Sequence, residues 1–380
     1  MRIGIDATFN PTGGSLGHLK EFIIGLAEVY PKADIVLFLK KENIDLIGKD
    51  IVKLCSIKIS YICSYGDFSR LIWVQIFLPI LGIYNTLDVL FCPGNFSPII
   101  KTTKVKSQWI GTIGPFVDEV IRSFKTKDKF RLFINKLLIL ISARTSNVVI
   151  HESGFSSELF KKKYRFKSQN QYLIECGKDS YFYPCMNKNI TNTSLSGITS
   201  EDLLCVSHLY PYKNIECLIR AFAKLKYSFN YKNKLYVAGN IESEHYFRSL
   251  KSLVCELNLD KSIIFTGKVS KEELRYAYSI CKLFVFPSHA ESSGYILIEA
   301  MSCAAAIIAS NKTAIPWTCG DSALYFDSDD PQELFNLIKS VIWNKVELSN
   351  MKKRSIKRSS VMIDYKTAVT EYLNIVNNLN

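Results

Sequence analysis

Through its second half the chain alternates short apolar runs with longer segments whose apolar positions recur at helical spacing. DLLCV (202–206) is an apolar run of the kind a buried strand shows. The segment after it, 214–226, places Ile215, Leu218, Ile219, Phe222 and Leu225 on one helical face. KLYVAG (234–239) reads as the next strand and 243–259 as the next helix, with Phe247, Leu250, Leu253, Val254 and Leu257 aligned. Strand SIIFTG (262–267) precedes helix 270–280, where Ser270 and Glu273 have capping-box spacing. Strand KLFVFPS (282–288), helix 294–304, strand AAIIAS (305–310) and a short strand ALYFD (323–327) continue the series. A helix opens at Asp330 as cap, with Pro331 at its first position and Glu333 in its first turn. Strands that alternate with helices are parallel neighbours joined by right-handed crossovers, so this half is predicted to be a doubly wound α/β domain.

The first half follows the same rule less regularly. Strands are expected at RIGID (2–6), DIVLFLK (34–40), DVLFCPG (88–94), SQWIGTI (107–113), NVVIHES (147–153) and QYLIECG (171–177). The glycine pair Gly13-Gly14 follows the first strand and precedes a helix near 18–30. The Asn-, Ser- and Thr-rich stretch 185–200 lacks apolar period and reads as a linker. The expected domains are therefore 1–184 and 201–361, with a helical tail, 362–380, packing back on the first.

Composition and a few local stretches add to this picture. At 380 residues and 48% hydrophobic, the chain is long enough for two cores. Its eleven cysteines form no C-x-x-C pair, and its five histidines show no metal-ligand spacing, so reduced thiols, no metal and no resident cofactor are expected. The longest apolar run, 71–84, holds Gln75 and Pro79 and is too short to span a bilayer. A buried helix is the first reading, a membrane-surface element the second. A net charge of +13, with basic pieces at 101–106, 125–131 and 160–167, suits a solvated lysine-rich surface or a partner bearing phosphates, such as anionic lipid or a lipid-linked diphosphate. No nucleic-acid-binding signature accompanies the charge, and no nucleic-acid partner is expected. The start, MRIGIDATFN, reads as a strand and not as a signal segment, so the expected compartment is the cytoplasm, with peripheral contact at the inner membrane face.

Two loops carry candidate chemistry. ESSGYILIEA (291–300) runs from a strand into a helix and puts Glu291 and Glu299 at either end of an apolar run. Ligands of open parallel sheets bind beyond the carboxyl ends of the strands. A helix start at Ser293-Gly294 supplies backbone N–H groups and positive dipole for an anion. A Ser-capped amphipathic helix with an exposed Glu299 accounts for the same spacing. VSHLYPYKN (206–214) makes a second strand-to-helix loop with Lys213 at the helix start, where a cation opposes the dipole unless a phosphate lies between them. A flexible exposed lysine is the plainer account of Lys213.

These motifs resemble the retaining glycosyltransferases of the GT-B fold, family four (glycosyltransferase group 1). VSHLYPYKN is similar to that family's G-R-L-x-x-x-K-N, and FPSHAESSGYILIEAMSCAAAIIAS to its F-P-S-x-x-E-G-F-G-x-x-x-x-E-A-M segment. GDSALYFDSDDPQEL is similar to its closing motif, and TGGSLGHLKEFI, 78–98 and ECGKDSYFYP match more loosely. The resemblance implies two Rossmann-like domains facing across a cleft, with acceptor in the first and nucleotide-sugar in the second. It implies Lys213 on the diphosphate, Glu291 at the donor sugar as the catalytic candidate, and the amides of Ser293, Gly294 and Tyr295 on sugar and phosphate. Glu299 would take the ribose, the loop with Val269 would flank the base, and Gly13 and Gly14 would approach the diphosphate from the first domain. His208 stands where the family has arginine and is placed with the donor ligands by position. Ser292, Ser293 and Trp317 also depart from the pattern, and IGTIGPF (110–116) lacks the histidine the family often carries there. The departures bear on activity, not on fold.

The implied reaction moves a sugar from a nucleoside diphosphate to a glycan or lipid-linked glycan acceptor in cell-surface polysaccharide synthesis, with retention of configuration and without a metal. Fixed donors would stabilise the charge growing on the leaving diphosphate. A non-catalytic partner subunit or a nucleotide-sugar epimerase of the same fold remains as the other reading.

Overall fold

A computed structural model describes residues 1–9, 14–60, 67–166, 170–186 and 193–379. Gly13 and residues 187–192 of the expected linker lie outside the described residues. The chain divides into two compact units: Met1–Phe116, Thr126–Gly177 and Ile363–Asn380 form the first, Val117–Lys125 and Lys178–Met362 the second.

The first unit holds a seven-stranded parallel sheet. Its strands are β1 (Arg2–Ala7), β2 (Asp34–Lys40), β3 (Ser56–Ser60), β4 (Val89–Cys92), β5 (Val105–Ile110), β6 (Val148–His151) and β7 (Gln171–Leu173), in the order β3-β2-β1-β4-β5-β6-β7. The second holds β8 (Leu203–Val206), β9 (Leu235–Ala238), β10 (Ile263–Gly267), β11 (Leu283–Phe286), β12 (Ile307–Ser310) and β13 (Ala323–Phe326), in the order β10-β9-β8-β11-β12-β13. Strand pairing is parallel throughout both sheets. Each order reverses once, at β1/β4 and at β8/β11, which is the doubly wound pattern. β3 has no counterpart among the expected strands, because SIKIS alternates polar and apolar residues over only five positions.

Alternation sorts the first sheet into two cores. Ile35, Leu37 and Leu39 of β2 join one cluster, while Val36 and Phe38 join the other. The last helix, Tyr365–Asn377, lies in the first unit: Val369 and Tyr372 enter its core, and Tyr372 shares a hydrogen bond of 2.7 Å with Ser107. His18, on helix Gly14–Val29, packs edge-on against Trp109, and burial holds its pKa down at about 4. Residues 178–184, expected with the first domain, belong to the second unit. Lys271 pairs with Asp179 at 2.6 Å, and the Arg275 guanidinium lies over the rings of Tyr181 and Tyr183.

Two expectations for polar and apolar runs are corrected. The run 71–84 is helical but not simply buried: Trp73, Val74 and Leu78 face the core, while Ile76, Ile80, Ile83 and Tyr84 are exposed. Lys106, at the end of one basic piece, is not a solvated surface lysine. Its ammonium donates to the Pro98 carbonyl (2.5 Å) and to Thr145 Oγ1 (2.8 Å), and burial lowers its pKa to about 8. The described cysteines are free thiols, and among the described residues no helix is long and apolar enough to cross a membrane.

Close backbone packing at the carboxyl end of the second sheet depends on Gly239. Its φ is +147°, its N–H donates to the Gly267 carbonyl at 3.0 Å, and a Cβ there would lie 2.0 Å from the Ser207 carbonyl oxygen. Gly239→Ala is expected to lower stability by at least the about 1–3 kcal/mol of a strained backbone position. Urea unfolding checks this; an unchanged midpoint would mean the 207–208 loop yields freely.

Candidate functional site

β8 and β11 are adjacent, with Leu203 opposite Leu283 and Leu204 opposite Phe284. The loops leaving their carboxyl ends, 207–214 and 287–294, therefore emerge side by side at the switch point of the second sheet. One carries Lys213 and the other Glu291. Lys213 Nζ donates to Glu291 Oε1 at 2.5 Å, and the two side chains are only 10% and 15% exposed. Nζ also lies 4.9 Å above the Tyr212 ring and 5.9 Å from that of Phe286. Burial disfavours the ammonium, but the Glu291 carboxylate and the Tyr212 hydroxyl outweigh it and raise the Lys213 pKa above its ordinary value. The cation is therefore fixed. The lysine is neither flexible nor exposed, and its place beside a helix start is explained first by Glu291.

The backbone around each partner is pinned. The Glu291 N–H donates to Thr313 Oγ1 (2.8 Å), and that hydroxyl donates back to the Glu291 carbonyl (3.1 Å). His289 N–H donates to the Tyr212 carbonyl (2.9 Å), tying one loop to the other. Asn214, left-handed at φ +55°, donates from Nδ2 to the Ser328 carbonyl. The first amide of helix Ile215–Phe229 is already used: Ile215 N–H donates to the Tyr246 hydroxyl (2.8 Å), which in turn donates to Glu216. Of the amides at this helix end, that of Ile215 therefore points to a protein hydroxyl and not to an anion.

The other predicted residues distribute around the pair. His208 Nδ1 is buried without a hydrogen bond, 3.5 Å from Glu242 Oε1. Burial lowers its pKa, only partly offset by Glu242, so the imidazole is neutral near pH 7 rather than partly charged. Ser293 is buried and its carbonyl accepts from Thr318 Oγ1 at 2.5 Å. Gly294, at φ +67°, precedes helix Tyr295–Ser302, whose start has no side-chain cap. A Cβ at Gly294 would lie 2.9 Å from Leu297 Cδ1. Glu299, in the body of that helix, is half-buried and accepts from the Tyr278 hydroxyl at 3.2 Å, so the reading of an exposed Glu299 is corrected. Burial pushes its carboxyl up to about 8, against the pull of the Tyr278 hydrogen bond. Val269 is half-buried on the loop after the edge strand β10. Gly14 opens helix Gly14–Val29 in the first unit. Sequence reasoning missed Tyr212, Glu242, Tyr278 and Thr313. Each acts through a partner on another segment, or, for Tyr212, through a ring face that no spacing reveals.

Two doubly wound parallel units, one with a buried cation–carboxylate pair at its switch point, make up a two-domain α/β chain whose likeness to solved structures places it in the GT-B class. Residues 188–358 match the profile of the family described as "Glycosyl transferases group 1", and that part of the chain belongs to it. The chain is similar to the serotype-specific mannosyltransferase WbdA of Escherichia coli, at 30% identity over 164 residues. These are 43% of this chain and 20% of WbdA, so the match spans about a fifth of that relative's length. It is similar to the O-antigen chain mannosyltransferase RfbU of Salmonella typhimurium at 25% identity, over 58% of this chain and 56% of RfbU. In structure it resembles sucrose-phosphate synthase from Thermosynechococcus elongatus, with TM-score 0.80 and 17% identity, over 100% of this chain and 98% of that one.

Lys213→Ala leaves Glu291 with a largely buried, unpaired charge and is expected to destabilise the protein by about 3–5 kcal/mol. The double variant Lys213→Met/Glu291→Gln should recover most of that loss in urea unfolding. Equal losses in the single and double variants would show that the pair is not coupled.

Glu299 binds its proton more tightly in the folded protein than its ordinary value near 4.5 allows. Stability from this group is therefore full below that value and declines as pH rises toward about 8. Glu299→Gln is expected to flatten the fall in unfolding midpoint between pH 5 and pH 8.5; an unchanged slope would place the carboxyl in an ordinary environment.

Proposed function

We propose that the protein is a retaining glycosyltransferase that moves a sugar from a nucleoside-diphosphate sugar to a glycan or lipid-linked glycan acceptor in cell-surface polysaccharide synthesis. The observation that carries this reading is the buried Lys213–Glu291 pair at the switch point of a group 1 glycosyltransferase domain. The two relatives, both mannosyltransferases and one acting on O-antigen chains, support the class of product.

An ammonium has three N–H donors. One engages Glu291, and the others serve a donor diphosphate arriving at the crevice. As the glycosidic bond breaks, negative charge grows on that diphosphate, and a cation already fixed in place stabilises it without reorganising. Glu291, held by Thr313, accepts from the donor sugar's hydroxyls. The amides at Ser293, Gly294 and Tyr295, at the positive end of their helix, add donors for phosphate and sugar. Glu299, protonated near neutral pH, both donates to and accepts from a ribose diol. His208, neutral, contributes a single N–H, a weaker anion contact than the arginine of the family pattern. Val269 borders the base.

The first unit supplies a place for the acceptor. A cavity of about 750 Å³ lies among helices Asp67–Ile72 and Thr126–Thr145, lined by Phe68, Phe96 and Phe130 and by Arg70, Lys127 and Arg131. Aromatic walls with cations suit an amphiphilic anionic acceptor such as a lipid-linked diphosphate. Phe130, Phe133, Leu137 and Ile141 form an exposed stripe at helical spacing along Thr126–Thr145, which fits peripheral contact with anionic membrane.

Thermal unfolding with UDP, GDP and their common sugars tests the donor site. A ligand at a hundred times its dissociation constant adds about 2.7 kcal/mol. A rise in Tm with one nucleotide, lost in Lys213→Ala, is expected; no rise with any of them would favour a non-catalytic partner subunit. The anomeric configuration of the product, read by NMR, checks retention.

A further inference from the structure

We propose that His18, Glu152 and Cys176 form a binding site in the first unit for one divalent transition metal of the zinc class. One ligand atom from each residue lies within 4.8 Å of the other two, and all three residues are buried. They come from distant parts of the chain: helix Gly14–Val29, the turn after β6, and the loop after β7. No local motif joins them, which is why the histidine and cysteine spacings pointed to no metal.

The surroundings prepare the groups for ligation. His18 Nδ1 is 3.1 Å from the Tyr365 hydroxyl, whereas Nε2 is buried with no hydrogen-bond partner. An imidazole whose Nδ1–H donates to a neighbour presents its Nε2 lone pair for a metal, and a partner on the second ring nitrogen is the usual companion of a metal-bound histidine. Trp109 Nε1 donates to Glu152 Oε1 at 2.8 Å, which orients that carboxylate within the cluster. Tetrahedral bonds of about 2.0–2.3 Å set ligand atoms about 3.5 Å apart, a contraction that side-chain rotation supplies.

Charge and donor type select the ion. One carboxylate and one thiolate neutralise a divalent cation, so the filled site is electrically balanced in a buried setting. A nitrogen–oxygen–sulfur set suits zinc or cobalt and not the oxygen-seeking magnesium or calcium. Water completes the fourth position. Binding releases the Cys176 thiol proton to solvent and clips the start of helix Gly14–Val29 to β6 and β7.

The experiment uses the whole 380-residue chain, stripped with a chelator and titrated with Zn²⁺ and Co²⁺. One equivalent of metal per chain by plasma emission is expected. So are a rise in Tm and, with Co²⁺, tetrahedral d–d bands with a thiolate charge-transfer band. Cys176→Ser should lose the charge-transfer band, and His18→Gln and Glu152→Gln should weaken binding at least tenfold. Wild-type protein that takes up no metal overturns the proposal. So does uptake that survives Cys176→Ser with its thiolate band intact, which would assign the metal to another thiol such as the exposed Cys255. Should Cys176→Ser not fold, Cys255→Ser, at the exposed thiol, decides: the thiolate band should persist in that variant, and its loss would overturn the proposal.

Discussion

A parallel strand reaches its neighbour only by crossing over a layer of helix, and that constraint governs where chemistry sits in this chain. Every crossover returns to the same edge, so all loops that follow strands gather at the carboxyl end of their sheet. Where the order reverses, the two central loops turn opposite ways and leave a crevice between them. In the second unit those loops follow β8 and β11, and they hold Lys213 and Glu291. The site is a consequence of the winding, and the residues exploit a space that the backbone cannot fill.

The pair shows what such a crevice demands. Removing two charges from water is unfavourable, and attraction at short range offsets it only when geometry is held. Thr313 on Glu291, the His289 amide on the Tyr212 carbonyl, and Asn214 on the Ser328 carbonyl hold it. Gly239 allows the neighbouring backbones to close at a distance no side chain would permit. A cation kept in this way has a fixed position, and the first amide of the helix that follows it is itself engaged by the Tyr246 hydroxyl.

The first unit uses its polar groups differently. Lys106 is sequestered beneath carbonyls, and His18, Trp109 and Glu152 form a buried polar cluster under the last helix. Several of its exposed apolar side chains are gathered along helices Leu78–Tyr84 and Thr126–Thr145, as Ile80, Ile83 and Tyr84 on the one and Phe130, Phe133, Leu137 and Ile141 on the other.

Period alone determined the class of fold. Short apolar runs between helical repeats point to parallel crossovers, and the strand-to-helix loops at 206–214 and 291–300 were legible as loops at the carboxyl end of one sheet because their place follows from that winding. The capping box at Ser270 was readable as well, since both partners lie within one turn. Partnership across the chain was not readable. That Lys213 meets Glu291, that Tyr278 meets Glu299, that residues 178–184 side with the second unit, and that His18 meets Glu152 and Cys176 all depend on which loops the sheet order brings together. The two faces of 71–84 were likewise undecided, because an apolar run carries no record of which side the core will cover. Local spacing encodes what a segment can form, whereas burial and pairing are set by neighbours that only the packed chain supplies.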